Sequence, residues 1–279
     1  MIDLVCIDVD GTLVGSSGAI HAENWRAVER ARAAGIRLAL CSGRPSFGVT
    51  SGYARRIDAD GWHIFQNGAS IVRLPDGHSR SAAMSPDAVA MLVARARATG
   101  RPLELYSDAD YVVEHTGDLV RTHAELLGMP FRPRAFEQLG APVVRAQWLV
   151  PHEQLAAVAA EPHAGLERFA STSPIMPETT FINLTLAGVT KGSAVRTVAA
   201  AYDVPLERVM FVGDGLNDVP AMAIVGHAVA MANAEVEVLA VARRVVAAVD
   251  DAGLAEALAV AIASREGALA GPHGSVLER

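Results

Sequence analysis

Short apolar runs alternate with helical segments near the start of the chain, and this alternation restricts the fold more than any other feature. The apolar runs have the length of strands and lie at residues 4–7, 36–41 and 62–65. The segments between them, at residues 22–34 and 45–57, are predicted to be helices. A β-α-β-α-β order predicts parallel strands joined by helices that cover both faces of one sheet. The same rhythm resumes at Thr190 and continues to about residue 263.

The part of the chain between these two stretches has a different character. From Met84 onward, helices and strand pairs with turn signals replace the strict alternation. We therefore predict an α/β fold whose core is a Rossmann-like, doubly wound parallel sheet formed by residues 1–83 and 186–279. Residues 84–185 are expected to form an inserted α+β cap domain.

Two carboxylates follow the first apolar run, in the sequence Asp-Val-Asp-Gly-Thr at residues 8–12. Residues two apart in a strand point to the same face, so Asp8 and Asp10 are expected to project together. Neighbouring carboxylates repel each other unless a cation lies between them, and a hard divalent cation prefers oxygen ligands. Gly11 lets the chain turn sharply, and Thr12 offers a hydroxyl and an N–H group to an anion.

Further polar clusters fall at the ends of other predicted elements. They are Ser42, Gly43 and Arg44 after the second run, residues 214–218 after the run at 209–212, and Lys191 at the start of a helix. In open parallel sheets, ligands bind beyond the carboxyl ends of the strands. The sequence therefore predicts a site built from carboxylates, one lysine, one hydroxyl and glycine-linked amides.

In order and spacing, these residues resemble the four motifs of the haloacid dehalogenase (HAD) superfamily of phosphoryl-transfer enzymes. The motifs are matched, in sequence, by residues 8–12, Ser42, Lys191 and residues 213–218. In size, the insert resembles the cap of the Cof-type branch (subfamily IIB). The motifs at residues 42–45, 66–69 and 190–192 also resemble those of that branch. Asn183 stands where many relatives carry an acidic residue; because it lies at the cap boundary, this departure concerns the substrate class rather than the chemistry.

The resemblance implies a division of labour among the acidic residues. Asp8 would be the nucleophile that forms an aspartyl-phosphate, and Asp10 would protonate the leaving alkoxide and then activate water. Asp8, the backbone carbonyl of Asp10 and Asp214 would hold Mg²⁺, with Asp218 supporting the ion directly or through water.

The resemblance also implies which residues bind the phosphate. Ser42, the N–H group of Gly43 and Lys191 would hold its oxygens, with Lys191 supplying a point charge. The other residues that we expect to contact phosphate or substrate are Thr12, Arg44 and Asn217. In the cap, polar or aromatic candidates for substrate contact are Tyr106, Asp108, Tyr111, His115 and Arg145.

These matches imply a Mg²⁺-dependent phosphatase acting on a small phosphorylated metabolite, either a sugar phosphate or a phosphorylated cofactor. Two alternatives stay open: a phosphomutase with the same nucleophile, and a ligand-binding regulator with a silent site. Taken singly, each motif has an ordinary explanation, because Lys191 could be a surface lysine, Ser42 a helix N-cap and Asp218 a first-turn acid. Their joint occurrence in order favours the enzyme.

Other phosphate- or cation-binding motifs fit less well. Leu13 and Ala19 stand where an EF-hand loop that begins at Asp8 needs glycine and glutamate. Asp218 occupies the place of the third glycine of a dinucleotide-binding loop. Lys191 precedes a glycine rather than following one, so it does not belong to a Walker P-loop.

Composition excludes several classes of partner. The net charge is −7 over 279 residues, with no cluster of Lys and Arg, which argues against a nucleic-acid or anionic-membrane partner. No apolar stretch reaches the length of a membrane span, and no signal peptide is expected. Cys6 and Cys41 lie in apolar runs and are expected to be reduced, buried residues of a cytoplasmic protein. The oligomeric state, monomer or homodimer, is left open.

Overall fold

The computed structural model describes residues 1–163, 165–173 and 176–269, and these residues fall into two compact units. The first unit comprises Met1–Cys41, Ile57–Trp62 and the described residues from Val195 onward. The second comprises Ser42–Arg56 and His63–Ala194. These limits differ from the predicted domain boundaries, and a cap domain of residues 84–185 stays a prediction.

Strands and helices alternate in the first unit, whereas strands predominate in the second. The strands of the described residues are β1 Leu4–Ile7, β2 Arg37–Leu40, β3 Trp62–Phe65, β4 Ser70–Arg73, β5 His78–Ser79, β6 Leu103–Tyr106, β7 Tyr111–Val113, β8 Arg145–Pro151, β9 Leu166–Ser173, β10 Met176–Leu186, β11 Val209–Gly213, β12 His227–Met231 and β13 Arg244–Val246. The helices are α1 Ala22–Ala33, α2 Val49–Asp58, α3 Pro86–Thr99, α4 Asp118–Leu126, α5 Leu155–Ala160, α6 Lys191–Ala201, α7 Val219–Met222, α8 Val236–Val241 and α9 Gly253–Leu269.

A five-stranded parallel sheet in the order β13-β12-β11-β1-β2 organises the first unit. All residues of β1 and β11 are buried, as expected for parallel strands covered on both faces. Helices α1 and α9 pack against each other, and the side-chain oxygen of Asn24 accepts a hydrogen bond of 3.1 Å from the N–H group of Ala255. The predicted α/β fold with a doubly wound parallel sheet is confirmed.

The strand order reverses between β1 and β11. From β1 the chain proceeds to β2 on one side, and it returns much later to β11 on the other side. Ile7 and Val212 are paired near the ends of these two strands. A reversal of this kind leaves a crevice beyond the carboxyl ends of the two strands, where open α/β sheets bind their ligands.

The second unit is built on an antiparallel sheet in the order β7-β6-β8-β10-β9. One face of this sheet is apolar, and Trp148 and Ile182 pack there with Leu92 of α3. On the other face, Tyr106 and Phe181 pack with residues of α4. A smaller sheet in the order β3-β4-β5 accompanies it. This arrangement agrees with the α+β character predicted for the insert.

One local expectation was wrong, and the basis of another does not hold. The helix expected from Pro45 begins at Val49, because Gly48 adopts a φ of +66° that an α-helix does not contain. Strand β1 ends at Ile7, so strand alternation does not relate the two acids that follow it. Asp8 is buried and Asp10 is exposed, and their side chains therefore meet different surroundings.

Within the described residues, every helix is too short or too polar to cross a bilayer. The predicted cytoplasmic location rests on the sequence alone and stays a prediction. Cys6 and Cys41 form no disulfide bond and are buried in the first unit, and burial raises the pKa of Cys6 to about 12.

Packing around β1 is expected to dominate the stability of the first unit. Val5 is completely buried in β1, and its replacement by alanine should lower the free energy of unfolding by about 2 to 3 kcal/mol, because apolar contacts are lost and a cavity remains. Val236 at the start of α8 is 77% exposed, so Val236→Ala should change it by less than about 0.5 kcal/mol. Urea unfolding of both variants measures the difference, and equal effects would contradict this account of the core.

Candidate active site

Asp8 and Asp214 directly follow the two strands between which the sheet order reverses. Asp8 comes after β1, and its N–H group donates to the carbonyl of Val212 in β11 at 3.0 Å. Asp214 comes after the last residue of β11. Parallel pairing of the two strands therefore brings both carboxylates to the carboxyl edge of the sheet.

Three carboxylates gather at this edge. Asp8, Asp214 and Asp218 each offer one oxygen, and these oxygens all lie within 4.8 Å of one another. Asp8 and Asp218 are buried, with exposed fractions of 6% and 0%. Carboxylates this close and this buried repel one another, and a divalent cation with oxygen ligands relieves that repulsion. The side chain of Asp10 is exposed and does not belong to this acidic group.

Asp218 shapes the loop that carries Asp214. One oxygen of its carboxylate, Oδ2, accepts hydrogen bonds from the N–H groups of Asp214 at 2.9 Å and Gly215 at 3.0 Å. A charged acceptor makes these bonds stronger than those of a neutral one. Asn217 lies half-buried in the same 3₁₀ turn, Leu216–Asp218.

Two further side chains orient Asp214. The hydroxyl of Thr12 donates to its Oδ1 at 2.9 Å, and the amide of Asn233 lies 3.4 Å from its Oδ2. The same amide donates to the carbonyl of Gly11 at 2.9 Å, while the amide oxygen of Asn233 accepts from the N–H group of Val249 at 2.8 Å. Thr12 was expected to contact phosphate; its hydroxyl is directed to Asp214, and a phosphate contact stays a prediction.

Asn233 was missed by the sequence reasoning. It lies two residues beyond the end of β12, at the same edge of the sheet as Asp8 and Asp214. That position is a signal that could have indicated it, since the polar residues after every strand of a parallel sheet share this edge.

Gly11 is required by the close approach of Asp214. Its φ is +83°, and a Cβ atom at this position would lie 2.0 Å from Oδ2 of Asp214. A side chain would therefore both strain the backbone and displace the carboxylate. The close packing of the first motif against Asp214 of the fourth motif therefore explains why residue 11 is a glycine.

In the second unit, the loop that contains Ser42, Gly43 and Arg44 is fixed to the turn Gln66–Gly68. The N–H group of Asn67 donates to the carbonyl of Ser42, and that of Gln66 to the carbonyl of Arg44, both at 3.0 Å. Ser42 is completely buried, and its hydroxyl accepts from the N–H group of Arg44 at 3.1 Å. Gly43 and Arg44 are half-buried.

Lys191 is the first residue of α6 and has an exposed fraction of 1%, so it is not a surface lysine. Thr190, just before it, and Ser193, in the first turn, cap the helix: the N–H group of each donates to the hydroxyl of the other, at 2.9 and 3.1 Å. At Gly68, where φ is +100°, a Cβ atom would lie 2.2 Å from the carbonyl oxygen of Thr190. The turn Gln66–Gly68 therefore contacts both the Ser42 loop and the start of α6.

The predicted site residues thus form two sets, one in each unit. The first unit contains Asp8, Asp10, Thr12, Asp214, Asn217 and Asp218, and the second contains Ser42, Gly43, Arg44 and Lys191. In the first set, the structure brings together Asp8, Thr12, Asp214 and Asp218. In the second, contacts through one turn link the loop of Ser42 with the helix start at Lys191. The role of each residue stays a prediction.

Comparison with known proteins agrees with the motifs. Residues 5–258 match the family model of haloacid dehalogenase-like hydrolases. The phosphatase YwpJ of Bacillus subtilis is 26% identical over 290 residues, which cover 90% of this chain and 97% of YwpJ.

Solved structures share the fold. A haloacid dehalogenase-like hydrolase from Bacteroides thetaiotaomicron has a TM-score of 0.81 and 25% identity, with 93% of this chain and 99% of that chain covered. The HAD subclass IIB sugar phosphatase BT4131 has a TM-score of 0.77 and 23% identity, with coverage of 92% and 98%. The predicted superfamily and enzyme class, a phosphatase, are confirmed; the Cof-type branch stays a prediction. With a family match that spans most of its length, this chain belongs to the haloacid dehalogenase-like hydrolases.

Proposed function

We propose that the chain is a Mg²⁺-dependent phosphatase that hydrolyses a small phosphorylated metabolite through an aspartyl-phosphate on Asp8. The observation that carries this proposal is the acidic group of Asp8, Asp214 and Asp218, with oxygens within 4.8 Å of one another. Asp8 alone of the three directly follows β1, and Thr12 and Asn233 hold Asp214 in place. A carboxylate that is positioned in this way can serve as a nucleophile toward phosphorus.

The donor set of the acidic group suits Mg²⁺, which is bound through carboxylates and water. Asp8, Asp214 and Asp218 would hold the ion, with the backbone carbonyl of Asp10 as a further proposed ligand. When bound, Mg²⁺ would neutralise charge on the phosphate and on the nucleophile. Thr12 and Asn233 hold the Asp214 carboxylate in its orientation, and Asp218 holds the loop backbone.

Proton transfer and binding of the phosphate oxygens are assigned to residues outside the acidic group. Asp10 would donate a proton to the leaving alkoxide and then remove one from the attacking water. In the second unit, Ser42, the N–H group of Gly43 and Lys191 would hold phosphate oxygens, and Arg44 and Asn217 are further proposed contacts. Burial of Lys191 supports its part, because a lysine charge is stabilised in a buried position when an anion is its partner.

The substrate class is proposed from relatives. A Bacillus subtilis protein that is 25% identical over 260 residues is named 5-amino-6-(5-phospho-D-ribitylamino)uracil phosphatase. BT4131 is described as a sugar phosphatase. Both names support a small phosphorylated metabolite, such as a sugar phosphate, as the substrate of this chain.

The nucleophile can be tested by one substitution. Asp8→Asn should lower kcat for 4-nitrophenyl phosphate by at least about 10⁴-fold, because the carboxylate that forms the covalent bond is lost. Phosphate release in the presence of Mg²⁺ gives the rate. Asp118 has a side chain that is 99% exposed, so Asp118→Asn is the matched control and should act like the unchanged protein.

The same assay separates the alternatives. Free phosphate from a hexose phosphate indicates a phosphatase, whereas an isomeric phosphate ester without release indicates a phosphomutase. If the unchanged protein releases no phosphate and Asp8→Asn has no effect, the proposed function is wrong.

Magnesium binding should depend on the hydroxyl that orients Asp214. Thr12→Val keeps the shape of the side chain but removes the donor to Oδ1, so we expect the Mg²⁺ concentration for half-maximal activity to rise by about 10- to 100-fold. Titration of the metal-free protein with Mg²⁺ in a calorimeter should show the same loss. Thr12→Ser retains a hydroxyl and should remain within a fewfold of the unchanged protein. Equal affinities of the Thr12→Val and Thr12→Ser variants would contradict this role.

A further inference from the structure

A band of buried polar residues crosses the antiparallel sheet of the second unit. Strand register places Glu104 of β6, Gln147 of β8 and Asn183 of β10 in one row, and Arg145 lies two residues before Gln147. We call these four residues the polar band. All four are buried, each with an exposed fraction below 5%. Buried polar groups at the centre of a sheet are costly unless they are fully paired, so an unpaired group among them calls for an explanation.

The side chain of Arg145 is held in one orientation by uncharged partners. Its Nε donates to the amide oxygen of Gln66 at 3.2 Å, and its Nη1 to those of Asn183 at 2.7 Å and Gln147 at 3.0 Å. The guanidinium carbon lies 4.0 Å from the centre of the Tyr106 ring, which adds a cation–π contact. The guanidinium is therefore preorganised.

One nitrogen of this guanidinium, Nη2, is buried and has no acceptor within the described residues. It carries two N–H groups, and a buried donor without an acceptor is unfavourable. Burial also lowers the pKa of Arg145, because the charged form is poorly solvated.

No carboxylate in the described parts of the chain makes an ion pair with Arg145. The carboxylate of the polar band, Glu104, accepts instead from the hydroxyl of Tyr106 at 2.6 Å and contacts Nδ1 of His123 at 3.0 Å. The amide of Gln147 lies between the two charges, since its nitrogen donates to Glu104 and its oxygen accepts from Arg145. Arg145 is thus a buried cation whose Nη2 has two N–H groups without an acceptor among the described residues. Its other nitrogens are bound by amide oxygens, and its guanidinium lies over the Tyr106 ring.

Arg145 also reaches the loop to which the proposed function assigns phosphate binding. Its Nη1 lies 3.4 Å from the carbonyl oxygen of Gly43, the residue whose N–H group is proposed to hold a phosphate oxygen. A molecule whose phosphate is bound at that N–H group would carry its remaining atoms close to the guanidinium.

We propose that Arg145 determines specificity by binding an oxyanion, either a carboxylate or a second phosphate, on the part of the substrate that leaves as the alcohol. An oxyanion supplies the acceptors that Nη2 lacks and the negative charge that the amides do not provide. This proposal rests on the proposed phosphatase function and names the substrate class of that site.

Matched substrates test the proposal on the unchanged protein. Glycerol 3-phosphate and 3-phosphoglycerate differ by one carboxylate, and fructose 6-phosphate and fructose 1,6-bisphosphate differ by one phosphate. We expect the oxyanion-bearing member of at least one pair to have a kcat/KM about 10- to 100-fold higher, as for a charge-assisted hydrogen bond. The pair that shows the preference identifies the carboxylate or the phosphate as the ligand.

Two variants then assign the preference to the guanidinium. Arg145→Gln removes the charge, and Asn183→Asp places a carboxylate where an amide oxygen now lies 2.7 Å from Nη1. Each should reduce the preference about tenfold or more through a higher KM of the oxyanion-bearing substrate, with a smaller effect on 4-nitrophenyl phosphate. Arg145→Lys should retain part of the preference, because it keeps a positive charge.

A second arginine of the same unit provides the control. Arg101 forms two hydrogen bonds with the carboxylate of Glu161, at 2.8 and 2.9 Å, so Arg101→Gln should leave the preference unchanged. Failure of the unchanged protein to hydrolyse 4-nitrophenyl phosphate would refute the phosphatase function itself. Hydrolysis without any preference within the pairs, or variants that weaken all substrates equally, would refute the role of Arg145 alone.

Discussion

Repulsion among three carboxylates at one edge of a parallel sheet is the constraint on which the first unit depends. Asp8, Asp214 and Asp218 have oxygens within 4.8 Å of one another, and two of the three are buried. Folding alone does not favour such a group, since like charges in a poorly solvated place destabilise the folded state. Several neighbouring features act to keep it in place: the hydroxyl of Thr12, the amide of Asn233 and the missing side chain of Gly11 all serve the position of Asp214.

In the second unit, a lysine side chain and backbone hydrogen-bond donors are held in position while the lysine stays buried. Lys191 is buried at the start of α6, and the turn Gln66–Gly68 contacts both that helix start and the Ser42 loop. Backbone hydrogen bonds and a glycine that allows close approach achieve this, rather than long side chains.

Much of the fold was predictable from the sequence because burial on both faces gives parallel strands an apolar signature. The bounds of β1 agree with the apolar run at residues 4–7, and β11 contains the apolar run at residues 209–212. The motifs named Asp8, Asp214 and Asp218, which the structure brings together. Sequence reasoning missed Asn233 as a partner of Asp214, although its place just after β12 was a usable signal. The polar band of the second unit could not be predicted, because it depends on which strands become neighbours and in which register, and residue spacing along the chain does not contain that information.

The pairing of β1 with β11 has a consequence for how the site is formed. Thr12 and Asp214, which form a hydrogen bond, are 202 residues apart in the chain. Closing a loop of that length has an entropic cost that must be met before the contact stabilises anything, and contacts of this kind slow folding. During synthesis, β2 is available to pair with β1 early, but the neighbour on the other side of β1, strand β11, is made much later. Until then the chain contains Asp8 without Asp214. The acidic group is therefore a late product of folding, and a chain that stops before β11 has no means of assembling it.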